Sequence, residues 1–328
     1  MARESIIAAR LGLTELTDAV LLFLTLPDFL VSLLLIGGIN AALIPALKSG
    51  NDHLTNRLLG NSIILVIIFT LALGAFFAIS PSTLISILAP SLNFEHIPNF
   101  ERGLQILPWI VLSACFIALI NAVLFSSNRF YIVPLTVALF NILIIIYFYF
   151  LDLSSFSIVS VSYIFLLAIS IRLFLLLLPV APTVRHVKFG ALHEQKKYWR
   201  IFIIGFISFG MFAIAPTAFR SVYAGQGDGF LAIFNLANKL FELPMGLIVG
   251  TISTILLPYA SGLVVSENKE YEKIFVNILR ATFTLAVISL LLTLLFVTFY
   301  VQLLFEYGVV EAIDTARISL ATKTIFTG

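Results

Sequence analysis

The chain has 328 residues, of which 60% are hydrophobic and only 11% charged, with a mean hydropathy of +1.10 and a formal net charge of +2. A soluble domain carries roughly 25% charged residues, so a soluble globular protein is excluded and a polytopic membrane protein is expected; no nucleic-acid partner is expected. Cys115 is the single cysteine and sits in an apolar segment, which excludes an intrachain disulfide and a thiolate metal cluster.

Spans of about 20 apolar residues, separated by polar or Pro/Gly breaks, mark the membrane crossings. Residues 1–11 form a first helix too short to cross a hydrocarbon core of about 30 Å at 1.5 Å per residue. This opening, MARESIIAARLG, holds a glutamate and no small-residue cleavage site, so it does not read as a signal peptide. Residues 15–46 form a long second helix, with bends expected at Pro27 and at Gly37-Gly38. A third span follows at 58–79, then a short interfacial piece at 81–92 and a loop at 93–102. Spans four to six fall at 104–126, 131–151 and 156–179. The basic stretch VRHVKFGALHEQKKYWR, Val184 to Arg200, is the most polar of the chain and reads as a linker between two membrane halves. Beyond it come spans at 201–223, 230–260 and 274–305, and the start of a tenth at 312–328.

The opening stretch has an echo. From Arg3 the chain runs through a loop, an apolar helix broken by Leu26-Pro27, and a closing Pro45. From Arg220 the same order recurs, with Leu243-Pro244 and a closing proline. The separations Arg3 to Pro27 and Arg220 to Pro244 are equal. Two related halves around a midplane site is the arrangement of secondary transporters. The domain reading is therefore an N-terminal lobe over 1–183, a linker over 184–200 and a C-terminal lobe over 201–328.

Orientation follows from the basic residues. The loops after the even-numbered spans hold Lys48, Arg57, Arg129, Arg185, Lys188, Lys196, Lys197, Arg200, Lys269 and Lys273, whereas the opposite loops hold Arg102, Arg317 and, at the margin, Arg10. The even loops and the N-terminus are thus expected in the cytoplasm.

Ionisable residues inside membrane spans face a cavity, a partner or water. The set here is Arg3, Glu4, Asp18, Asp28, Arg172, Arg220, Lys239, Glu242 and Arg280. Each also has a structural explanation. Asp18 can cap the second helix, and Arg220 or Arg280 can snorkel to an interface. Arg172, a turn or two from the cytoplasmic end of its span, is expected to snorkel. Lys239 and Glu242, three residues apart, share a helix face and can neutralise each other. Arg3 and Lys239 stand on helices of the repeated unit, where a cationic pair would draw an anionic head group, phosphate above all. No enzyme motif competes: the four histidines fall in loops, and there is no phosphate-binding glycine loop, GxSxG or aspartate cluster for Mg²⁺. No enzyme activity and no cofactor or metal are expected.

Arg3-Glu4 with IAARLGLTELTDA, then Leu26-Pro27, Gly37 and Ile44-Pro45, resemble the opening of the lipid II flippase family known as MurJ or MviN. That family belongs to the multidrug/oligosaccharidyl-lipid/polysaccharide exporter superfamily. Asn128-Arg129-Phe130 with Pro134 and Asn141, LANKLFELPMGLIVGTISTILLP, and LFEYGVVEAIDTA resemble its later segments, in the family's order.

The resemblance implies an all-α membrane fold of two six-helix lobes related by a pseudo-two-fold repeat around a cationic cavity. Against it, the chain starts within the first helix and stops after the ninth. The resemblance further implies alternating access, a place in the bacterial inner membrane, a role in peptidoglycan synthesis and cell shape, and as partners a polyprenyl-diphosphate-linked glycan lipid, membrane lipids and cell-wall synthesis proteins. Carried over residue by residue, Arg3 matches a cavity arginine, Asp18 the aspartate opening the second helix, and Glu242 a glutamate of the eighth. Lys239 stands where arginine is usual and Asn238 where aspartate is usual; Val31 and Ile36 replace an arginine and a glutamate. Two other readings stay open: a flippase for another polyprenyl-diphosphate-linked oligosaccharide, and a non-transporting remnant or partner-binding subunit.

Overall fold

The computed structural model describes residues 2–31, 52–80, 99–127, 131–152, 156–184, 229–240, 271–310 and 312–327, with positions 43, 47, 83, 97, 129, 200, 203–204, 207, 218–220, 222–223, 226–227 and 242. Among these, all regular structure is helical: α1 (Ala2–Leu11), α2 (Glu15–Val31), α3 (Asp52–Ile79), α4 (Phe100–Ser126), α5 (Ile132–Phe150), α6 (Ile158–Val184), α7 (Phe230–Leu240), α8 (Tyr271–Phe305) and α9 (Ala312–Thr327). Helices α3, α4, α5, α6 and α8 are long and apolar enough to cross a membrane, because a backbone that pairs all its own polar groups is what a hydrocarbon setting tolerates. Most of the interfacial piece, Gly37-Gly38, most of the basic linker and most of the seventh span lie outside the described residues.

Helix ends follow local chemistry. Gly12, at φ +72°, closes α1 with its N–H donating to Ala8 O at 2.8 Å, the left-handed stop that glycine adopts without steric cost. α4 opens from Asn99 at φ +56°, another conformation that asparagine accepts more readily than most residues. Pro27 lies inside α2 and Pro108 inside α4.

The chain forms two compact units, one of Met1–Leu13 with Ala232–Gly328, the other Thr14–Leu231. Within the larger, α4 packs on α3, α6 and α2, and α5 packs on α6. The α4–α6 approach is close: a Cβ at Gly103 would stand 2.5 Å from Ile158 Cγ2 and 3.0 Å from Ser162 Oγ. Glycine at such a crossing is the membrane solution, since helices without a hydrophobic drive between them associate through close backbone packing. An aromatic group of Phe23, Phe140 and Phe165 joins α2, α5 and α6, with centroids 6.5 and 5.3 Å from Phe165.

In the smaller unit, α8 packs on α9 and on α1. Ala8 of α1 shares a buried cluster with Ile233, Leu236, Ala237 and Leu240 of α7 and with Val297, Val301 and Phe305 of α8. The α8–α9 loop folds onto α1: Val309 N donates to Ala9 O at 3.0 Å, supplying a carbonyl that a helix end leaves unpaired. Gly308, at φ +69°, faces the same carbonyl with no room for a Cβ.

Candidate functional site

The site is built from two short helices of the smaller unit. On α1, Glu4, Ile7, Ala8 and Leu11 are buried, and their spacing of three, four and seven puts them on one face. A bare carboxylate there would be costly. The half-buried Arg3 guanidinium answers it, Nη2 donating to Glu4 Oε1 at 2.7 Å.

α7 divides by the same periodicity. Ile233, Leu236, Ala237 and Leu240 go to the core, while Asn235, Asn238, Lys239 and the helical Glu242 fall at i, i+3, i+4 and i+7 on the opposite face. Burial falls along this stripe, from Asn235 at 5% exposure to side chains at 31% for Lys239 and 46% for Glu242. The Glu242 carboxylate joins its neighbours, accepting from Asn238 Nδ2 at 2.7 Å and from Lys239 Nζ at 2.5 Å. The Nδ2 of Asn235 is buried and makes no hydrogen bond among the described residues. The expected Lys239–Glu242 pairing is present, and Asn238 belongs to it. Chemically, this is an ammonium and two amides on one face, with a single carboxylate that an incoming anion could displace.

Asp18 is placed differently. It is buried in the first turns of α2, in the larger unit, and its Oδ2 accepts the backbone N–H of Gly229 at 2.8 Å. Gly229, at φ +79°, directly precedes α7. Asp18 thereby reaches the start of another helix, where a negative charge meets the positive end of the helix dipole.

Arg172 corrects the sequence reading. The sequence reading closed this span at residue 179, yet α6 continues to Val184. Arg172 is therefore mid-helix and half-buried, 6.0 Å from the Phe140 ring centroid, with Asp28 of α2 near enough to act on it electrostatically. Arg220 is half-buried and Arg280 exposed at the start of the α8 span. Ile36 and Asn128 lie outside the described residues. Sequence reasoning missed Asn235, although its spacing of four from Lys239 was the available signal, and the Asp28–Arg172 relation, which no spacing could reveal.

Five membrane-spanning helices and short helices with polar faces define a class, the multi-pass membrane proteins with the fold of the multidrug and lipid exporters. A MATE-family multidrug resistance transporter of the MOP superfamily, in an inward-facing conformation, matches at TM-score 0.73 and 17% identity over 98% of this chain and 75% of that one. A lipid II flippase MurJ in an inward closed conformation matches at TM-score 0.81 and 20% identity, over 99% of this chain and 69% of that one.

Within this class the chain belongs to the lipid II flippase MurJ family, whose model matches residues 7–323. A lipid II flippase MurJ of Burkholderia cenocepacia is 24% identical over 340 residues, covering 99% of this chain; the chain spans 66% of that relative's length. The family is one of membrane transporters, in keeping with the five apolar spans.

Proposed function

We propose that this chain takes part in flipping lipid II, the polyprenyl-diphosphate-linked peptidoglycan precursor, from the cytoplasmic to the outer leaflet of the inner membrane by alternating access. Family membership supports the cargo class. The observation that carries the chemistry is the polar face of α7, where Lys239 lies ready beside Asn235 and Asn238. Arg3 and Lys239 receive the diphosphate, one through a planar fork and the other as a point charge. Each cation is held meanwhile by a carboxylate, Glu4 or Glu242. Loading is then an exchange of anions: the diphosphate replaces Glu242 on Lys239, and Glu242 reclaims the ammonium when the cargo leaves. Asp18 serves the site by holding the start of α7. Catalysis of covalent chemistry has no part in this, and no cofactor is required.

The lobes over 1–183 and 201–328, the cytoplasmic N-terminus and an association with cell-wall synthesis proteins belong to the same proposal. A second cargo, another polyprenyl-diphosphate-linked oligosaccharide, is favoured by one observation: Lys239 cannot give the bidentate phosphate contact of an arginine.

The test is complementation in a bacterial strain depleted of its own lipid II flippase, with the chain as it stands and with any flanking coding sequence restored. Rescue by either, lost in Arg3→Ala and Lys239→Ala variants that still insert, supports lipid II as cargo. Failure of both with insertion confirmed transfers the proposal to the other glycan lipid or to a non-transporting role, and near-normal rescue by both variants removes the diphosphate site.

A further inference from the structure

In the larger unit, α3, α4 and α6 line two adjoining open hollows that the flipping reading does not use. The first, about 620 Å³, is a groove between α3, from Ile67 to Ala78, and α4, from Gln105 to Phe116. Its α3 wall is cut back by small residues at Gly74, Ala75 and Ala78, so the groove is deep where a larger side chain would fill it. The second, about 640 Å³, lies between α4 and α6 and contains Arg102 and Tyr163; Gln105 and Trp109 line both. The two hollows therefore adjoin at Gln105 and Trp109, and the cleft they form together is apolar along α3 and polar at the start of α4. Both volumes fall within the roughly 300–1,000 Å³ of built small-molecule sites.

We propose that this cleft is a specific site for one anionic phospholipid, with an acyl chain in the α3–α4 groove and its phosphate on Arg102. Three observations select this occupant. The first is depth. Ile67 to Ala78 is 12 residues, about 16 Å of helix from the first Cα to the last, which matches half of a hydrocarbon core of about 30 Å. A single-leaflet acyl chain fits that length, whereas a polyprenyl chain would overrun it.

The second is the position of the polar end. Arg102 and Gln105 lie in the first two turns of α4, and Gln105 lines the groove together with Ala78, one residue before the end of the α3 span at Ile79. Trp109 and Tyr163, 62% and 60% exposed, are the amphipathic rings that favour the headgroup boundary. The third is charge. Arg102 is exposed and lines the cleft, while its neighbour Glu101 is not among the lining residues. A guanidinium free to turn toward a phosphate gives an anionic headgroup its preference.

The full chain in nanodiscs containing phosphatidylglycerol with a photoreactive acyl chain tests this directly, using peptide mapping of the cross-links. Labelling should concentrate on the peptides of 67–78 and 105–116. Ala75→Phe should abolish it while thermal stability and membrane insertion are retained. Arg102→Gln should lower the preference for phosphatidylglycerol over phosphatidylcholine by about fivefold, the equivalent of roughly 1 kcal/mol per basic residue at an anionic surface. Labelling spread evenly over the lipid-facing residues of α5 and α8 would overturn the site. So would labelling unchanged in Ala75→Phe, or displacement of phosphatidylglycerol by a polyprenyl diphosphate at equal concentration. Equal competition by phosphatidylcholine in the parent chain would overturn the anionic headgroup. None of these outcomes depends on which cargo the chain flips.

Discussion

Lys239 and Glu242 should respond to substitution in opposite directions. Their side chains are 31% and 46% exposed and lie 2.5 Å apart. At that exposure the pair is solvent-screened, and its contribution to stability is at most about 1 kcal/mol. Lys239→Ala should therefore fold and insert, with a melting temperature within a few degrees of the parent. Its effect on cargo is larger. A hydrogen bond to a charged partner contributes about 1.5–3 kcal/mol, so losing the ammonium should weaken a polyprenyl diphosphate roughly 10- to 100-fold, at 1.4 kcal/mol per factor of ten.

Glu242→Gln removes the competing carboxylate and leaves Lys239 charged. Binding should tighten, while release slows and turnover falls. The assay is titration of a fluorescent polyprenyl diphosphate into the purified chain in nanodiscs, with thermal unfolding measured on the same samples. If Glu242→Gln weakens binding as much as Lys239→Ala, the two act as one structural unit and the anion-exchange argument fails. If neither changes binding, the site lies elsewhere.

Asp18→Ala should lower thermal stability by about 1–3 kcal/mol, because Gly229 N–H loses its acceptor in a buried setting; Asp18→Asn, which keeps a carbonyl, should cost less, and an unchanged melting curve for Asp18→Ala would discount the contact. Gly103→Val should destabilise the larger unit by about 1–3 kcal/mol through collision with Ile158, seen as a lower midpoint in thermal unfolding, and a stabilised variant would show that α4 and α6 are not in close approach. Asn235→Leu should leave stability equal or higher, since it removes a buried amide nitrogen without a hydrogen bond, yet reduce complementation; full activity would show that the amide does not serve the cargo.

Much of the helical layout is legible in the residues. Apolar runs locate α3, α5 and α8 to within a few positions because a membrane leaves a backbone few alternatives, and Gly12 announces the stop of α1. Lys239 and Glu242 can be paired from spacing alone, since helix geometry turns a separation of three into proximity. The same rule would have added Asn235. Two features resist such reading. The Asp18 to Gly229 bond joins residues 211 apart, and nothing local to Asp18 distinguishes an acceptor for a distant amide from a cap on its own helix. Arg172 was misplaced because the span was closed at residue 179, whereas α6 runs on to Val184 and leaves the guanidinium more than three turns from its end.

The dock between Val309 and Ala9 bears on how the molecule comes into being. These partners are 300 residues apart, and chains grow at roughly 5–20 residues per second. For about 15–60 s after α1 has left the ribosome, the elements that complete its packing, α8 and the turn at Gly308, have yet to be made. In that interval a ten-residue helix carrying Arg3, Glu4 and Arg10 has to persist without its final neighbours. Assembly of the smaller unit therefore waits on the synthesis of α8 and the turn at Gly308, and a ribosome that pauses before Val309 leaves α1 without this dock.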